Sequence, residues 1–120
     1  MPDFDRDPCL DDLLLLHGQV LVVDPAGGHW VKFVVRRVAA TAEKPNGLDY
    51  SLTLHAADGE RLVGFDNAHA LPGRRRGVEA SDHRHRLRTV KPYDYRSAAD
   101  LLVDFWSEVD AMLKQRGVTP

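Results

Sequence analysis

Apolar and polar residues alternate through positions 50–55: Tyr50, Leu52 and Leu54 fall on one face, Ser51, Thr53 and His55 on the other. A period of two with one polar face predicts a half-buried antiparallel strand. The valine-rich run 19–23 and the run 30–38, apolar on both faces at its centre, predict two strands before it. Asp24-Pro25-Ala26-Gly27-Gly28 separates those two, and Lys44-Pro45-Asn46-Gly47 separates the second from the third. Asp58-Gly59 supplies hairpin chemistry and predicts a return strand over 61–67. Positions 83–88 alternate again, a short fifth strand that Lys91-Pro92 interrupts. The leucine run 13–16 is too short for its period to separate helix from strand.

The period changes near the C-terminus. Ala98, Leu101, Leu102, Phe105, Val109, Met112 and Leu113 recur at helical spacing. Ser97 is a candidate N-cap with Asp100 three residues on, Lys114 and Arg116 suit the negative end of the dipole, and Gly117 marks the stop. Strands with short connections followed by one amphipathic helix predict an α+β domain. Its architecture is an antiparallel meander of four to five strands with the helix packed on one face.

Length agrees with one domain over 1–120, in which residues 1–12, acidic and containing two prolines, form a flexible arm. At 43% apolar and 28% charged the 120-residue chain is neither disordered nor fibrous. No apolar run is long enough to span a membrane and no basic segment leads into an apolar one, so a cytoplasmic location is expected. A single cysteine, Cys9, excludes an internal disulfide and a multi-cysteine zinc site. Nothing points to a bound cofactor.

Charge is unevenly spread. Residues 1–24 hold six aspartates and one arginine, a net of −5, whereas residues 61–96 hold nine basic and four acidic groups, a net of +5. Such a basic block can meet phosphate, or it can be a solvated face.

Two polar clusters lie in that block. The first, Asp66, Asn67 and His69, ends the return strand; the second is His83-Arg84-His85-Arg86, followed by Tyr93. On a strand His83 and His85 point one way and Arg84, Arg86 and Arg88 the other. Three chemistries fit: acid–base catalysis by paired imidazoles, which serves metal-independent RNA cleavage through the 2′-hydroxyl; a metal held by the histidines with Asp66 or His69; or phosphate contact alone. The last of these, a non-catalytic module that binds nucleic acid or protein through block 61–96, belongs to a different functional class. His17, His29 and His55 are scattered and read as structural or exposed, and Trp30 reads as core.

The ordered set Arg61-Leu62-Val63-Gly64-Phe65-Asp66-Asn67, a basic loop, His83-Arg84-His85, Pro92-Tyr93-Asp94-Tyr95 and the closing helix resembles the TumE-like family of bacterial toxin–antitoxin proteins. The resemblance implies the toxin half of a type II module, neutralised by a helix-turn-helix antitoxin. By analogy with small ribonuclease toxins it favours RNA as the substrate. In that reading His83 and His85 share the acid and base roles and Asp66 orients one imidazole. Asn67 bonds the substrate or holds the loop, Arg84 or Arg86 steadies the phosphate, and His69 and Tyr93 complete the substrate-binding set. If 83–88 is a regular strand, Arg61 or the Arg74-Arg75-Arg76 run is the better placed clamp.

Overall fold

The computed structural model describes residues 9–41, 47–67, 82–87 and 89–119. After a short helix, α1 (Leu10–Leu15), come six strands: β1 (Val20–Asp24), β2 (His29–Arg37), β3 (Leu48–His55), β4 (Arg61–Asp66), β5 (His83–Arg86) and β6 (Thr89–Pro92). A long helix, α2 (Ala98–Gln115), closes the chain. The six strands form one antiparallel sheet in sequence order. The α+β meander is therefore present, with one strand more than the four to five expected. The extra strand is β6, which contains the Lys91-Pro92 pair read above as an interruption. Among the described residues only its inner edge is paired, so the missing N–H of Pro92 costs no ladder bond. The leucine run resolves as helix: Leu10 and Leu13 of α1 are buried against the core, and residues 10–12 of the acidic stretch belong to it.

Register places the core on one side of the sheet. Val31, Phe33 and Val35 of β2 lie opposite Leu54, Leu52 and Tyr50 of β3, and Leu52 and Leu54 lie opposite Phe65 and Val63 of β4. Leu101, Phe105, Val109 and Met112 of α2 cover them, with Phe105 edge-on to Phe33 at 5.7 Å and to Phe65 at 6.1 Å. Each such side chain contributes about 1.5–3 kcal/mol by leaving water. Both ends of α2 are capped as the sequence indicates. Ser97 Oγ accepts from the Asp100 amide at 3.0 Å. Gly117, at φ +78°, lets its own N–H and that of Val118 reach the Lys114 and Leu113 carbonyls, a Schellman turn that only a left-handed residue can make.

The face without the helix is polar. Registers align three rows across it: Trp30–His55–Arg61; Lys32–Thr53–Gly64–His85–Val90; and Val34–Ser51–Asp66–His83–Pro92. Trp30, expected in the core, lies in this face, half-buried and stacked on His55 with ring centroids 4.2 Å apart. Among the described residues no helix is long and apolar enough to cross a membrane.

Candidate active site

Pairing of β4 with β5 sets Asp66 opposite His83 and Gly64 opposite His85. The two-residue period then brings one carboxylate and two imidazoles together on the helix-free face. His85 Nε2 lies 2.9 Å from Asp66 Oδ2, and His83 Nδ1 lies 3.9 Å from Asp66 Oδ1. The first contact is close but bent away from the ring N–H direction, so neither nitrogen has an aligned hydrogen bond. The His83 and His85 side chains are 8% and 5% exposed and that of Asp66 13%, which closes the cluster to bulk solvent.

Arg61 supplies the fourth member. It enters the face through a bulge at Leu54/His55 and carries its guanidinium to 3.2 Å from His85 Nδ1. Gly64 makes room for this crossing: a Cβ there would stand 3.3 Å from Arg61 Cδ and 3.6 Å from His85 Cδ2. The sequence carries a signal for this, since a lone glycine inside a strand marks a close approach.

Charge and burial act on His85 together. Desolvation lowers its pKa below the ordinary histidine range, and although Asp66 pulls it up, Arg61 and His83 add to the lowering. The neutral imidazole is therefore favoured, with Nε2 beside Asp66 and the Nδ1 lone pair toward Arg61.

The remaining predicted residues are placed elsewhere. Arg84 and Arg86 face α2, where Arg84 pairs with Glu108 at 3.5 Å and Arg86 donates to the Gln115 side-chain carbonyl. They stand on the opposite side of the sheet from the histidines, as a regular strand requires. Tyr93 also lies on the helix side, edge-on to Phe65 with its hydroxyl donating to Asp104 Oδ2 at 2.6 Å; burial and that carboxylate push its pKa up. The buried amide of Asn67 is engaged by the backbone of β3: it accepts from the Tyr50 N–H at 3.0 Å and donates to the Leu48 carbonyl at 2.6 Å. His69 and Arg74-Arg75-Arg76 lie outside the described residues. Among those described, no three His, Cys, Asp or Glu side chains converge as metal ligands.

A second His-centred group was not visible in the sequence. His29 Nδ1 donates to Asp24 Oδ2 at 2.8 Å while Arg116 Nε donates to His29 Nε2 at 3.0 Å. It binds the β1–β2 hairpin to the end of α2, bridging 87 positions of chain.

Residues 21–113 match the family model described as Toxin TumE. Neither curated proteins nor solved structures yield a match.

Proposed function

The chain belongs to the TumE toxin family, and on that premise we propose that this toxin acts on RNA as a small metal-independent ribonuclease, neutralised by a helix-turn-helix antitoxin. A toxin family implies an antitoxin partner in general. The helix-turn-helix class and the RNA substrate are the further steps of the proposal. One observation carries the chemistry: a desolvated imidazole with a carboxylate at one nitrogen, an arginine at the other and a second imidazole beside it.

The roles follow from the geometry. His85 Nδ1 is the base. Asp66 holds the ring from the Nε2 side and stabilises the imidazolium once it forms. Arg61 covers Nδ1 at 3.2 Å; drawn onto the scissile phosphate, its guanidinium uncovers the lone pair and offsets charge building on the phosphoryl oxygens. The 2′-oxygen loses its proton to His85 and attacks phosphorus, and the P–O5′ bond breaks. His83, whose ring centroid is 6.3 Å from that of His85, delivers its proton to the departing 5′-oxygen. The products are a 2′,3′-cyclic phosphate and a 5′-hydroxyl, with one proton taken up and one released.

The near-complete burial of both imidazoles favours a second reading, in which they brace the sheet and the basic block 61–96 binds RNA or protein without cutting. One experiment separates them. Purified protein is incubated with a mixed RNA pool, with and without chelator, beside the His83→Ala/His85→Ala variant. Cleavage that resists chelator, leaves cyclic phosphate ends and disappears in the variant is the expected result. Equal cleavage by the variant overturns the mechanism, and cleavage lost to chelator transfers the histidines to a metal. RNA bound intact by the wild type selects the second reading.

A further inference from the structure

We propose that the cleft between the β5–β6 hairpin and α2 is a phosphate-binding site, on the opposite face of the sheet from the histidine cluster. Its ligand is a backbone phosphodiester of RNA, and this last step rests on the RNA reading above.

The β5–β6 ladder contains a repulsion that is only partly offset. Arg84 and Lys91 are directly opposite each other in the β5–β6 ladder, and Arg86 is the next residue of β5 on the same side. Like charges set opposite on neighbouring strands destabilise a sheet. The fold does little to offset this. Glu108 reaches only Arg84, at 3.5 Å; Arg86 is met by the neutral amide of Gln115; and Lys91 has no ion pair among the described residues. Three cations share one carboxylate.

The cations surround space rather than open surface. A cavity of about 150 Å³ is lined by Phe65, Arg84, Arg86, Thr89, Lys91 and Glu108, and by His85, whose strand neighbours Arg84 and Arg86 point into this side. Two guanidiniums, an ammonium and a hydroxyl offer donors from different directions. That arrangement suits the tetrahedral oxygens of phosphate better than a planar carboxylate. Glu108 engages one edge of Arg84 and leaves other N–H donors free, while its own charge opposes an anion and limits affinity.

Position gives the cleft its relation to the histidines. Arg84 and His85 are consecutive on β5 and project to opposite faces, and the outer edge of β6 is unpaired among the described residues. A single strand of RNA seated by one phosphate in the cleft reaches His85 by passing over β6. A substrate of several nucleotides engages both places, whereas a dinucleotide engages one.

The test uses the full chain and two probes. With inorganic phosphate against chloride at equal ionic strength, phosphate is expected to raise Tm by about 3 °C more than chloride. The Arg86→Gln/Lys91→Gln variant, which removes two of the charges and relieves repulsion, should match or exceed the wild-type Tm in chloride and lose that increment. Glu108→Gln should enlarge it. With a labelled single-stranded RNA of about twelve nucleotides, the double variant should bind about tenfold more weakly at low salt, with a salt slope shallower by about 1.4 for two lost contacts. Equal Tm in the two salts together with an unchanged salt slope overturns the proposal. A phosphate increment that the variant loses, with an unchanged RNA slope, keeps the phosphate site and overturns its RNA ligand; an increment that the variant keeps is general salt stabilisation and overturns the site. RNA held through the cleft but never cut overturns only the ribonuclease reading.

Discussion

Two histidines of this protein stand between an aspartate and an arginine, and they do different work. His29 takes Asp24 at 2.8 Å and Arg116 at 3.0 Å; His85 takes Asp66 at 2.9 Å and Arg61 at 3.2 Å. The distances are nearly the same. At His29 each ring nitrogen has one partner in line, and the group fastens a hairpin to the end of a helix. At His85 the carboxylate is shared with a second imidazole, the approach is bent, and burial, with Arg61 and His83 alongside, favours the neutral ring. The contrast lies in how many imidazoles each carboxylate must serve and in what covers them. The satisfied arrangement is a clasp; the contested one holds the lone pair to which the proposed mechanism assigns the substrate proton.

Asparagine substitution at the two aspartates should separate these roles most widely. Asp66→Asn keeps the shape but loses the charge that holds and stabilises the His85 imidazolium, so RNA cleavage should fall by about 10²-fold or more. Asp24→Asn should leave the cleavage rate within about twofold of wild type, since the proposed acid–base catalysis is assigned to the other cluster. Comparable losses from both would break the distinction.

Stability should show the reverse order. Asp24→Ala strands a buried imidazole between an empty site and Arg116, and thermal unfolding should register a loss of about 2 kcal/mol. Arg61→Ala removes a side chain from the exposed start of β4 and should cost under about 1 kcal/mol, because the Nδ1 it uncovers needs no proton.

The smallest effect is the dependence of stability on pH. The folded pKa of His85 lies below its unfolded value, so the folded state binds fewer protons in the interval between them. Stability is therefore complete above the ordinary histidine range, near pH 6.5, and declines as pH falls through the interval toward the folded value. His85→Gln should flatten the pH dependence of Tm just below 6.5. A slope that survives His85→Gln assigns the proton uptake to another group.

Local pattern explains why some of this was legible from residues alone. The cap at Ser97, the stripe from Ala98 to Leu113 and the stop at Gly117 identify α2 because each acts within a few positions of itself. Alternation alone put His83 with His85 and turned Arg84 and Arg86 away. Strand β6 was hidden because Pro92 reads as a break until one knows that its outer edge is unpaired among the described residues. The Asp66–His83 pairing depends on how the chain returns after β4, and the Asp24–His29–Arg116 group on where a helix end comes to rest. Neither is recorded in spacing.

The opposition of Asp66 and His83 at the first rung of the β4–β5 ladder has a consequence for the connection between those strands. The ladder, rather than the intervening chain, sets the distance between carboxylate and imidazole. Doubling the length of a connecting segment adds only about 0.6 kcal/mol of closure entropy. A change in the length of the connection between Asn67 and Asp82 therefore carries only a small entropic cost, and the paired strands keep the spacing of carboxylate and imidazole.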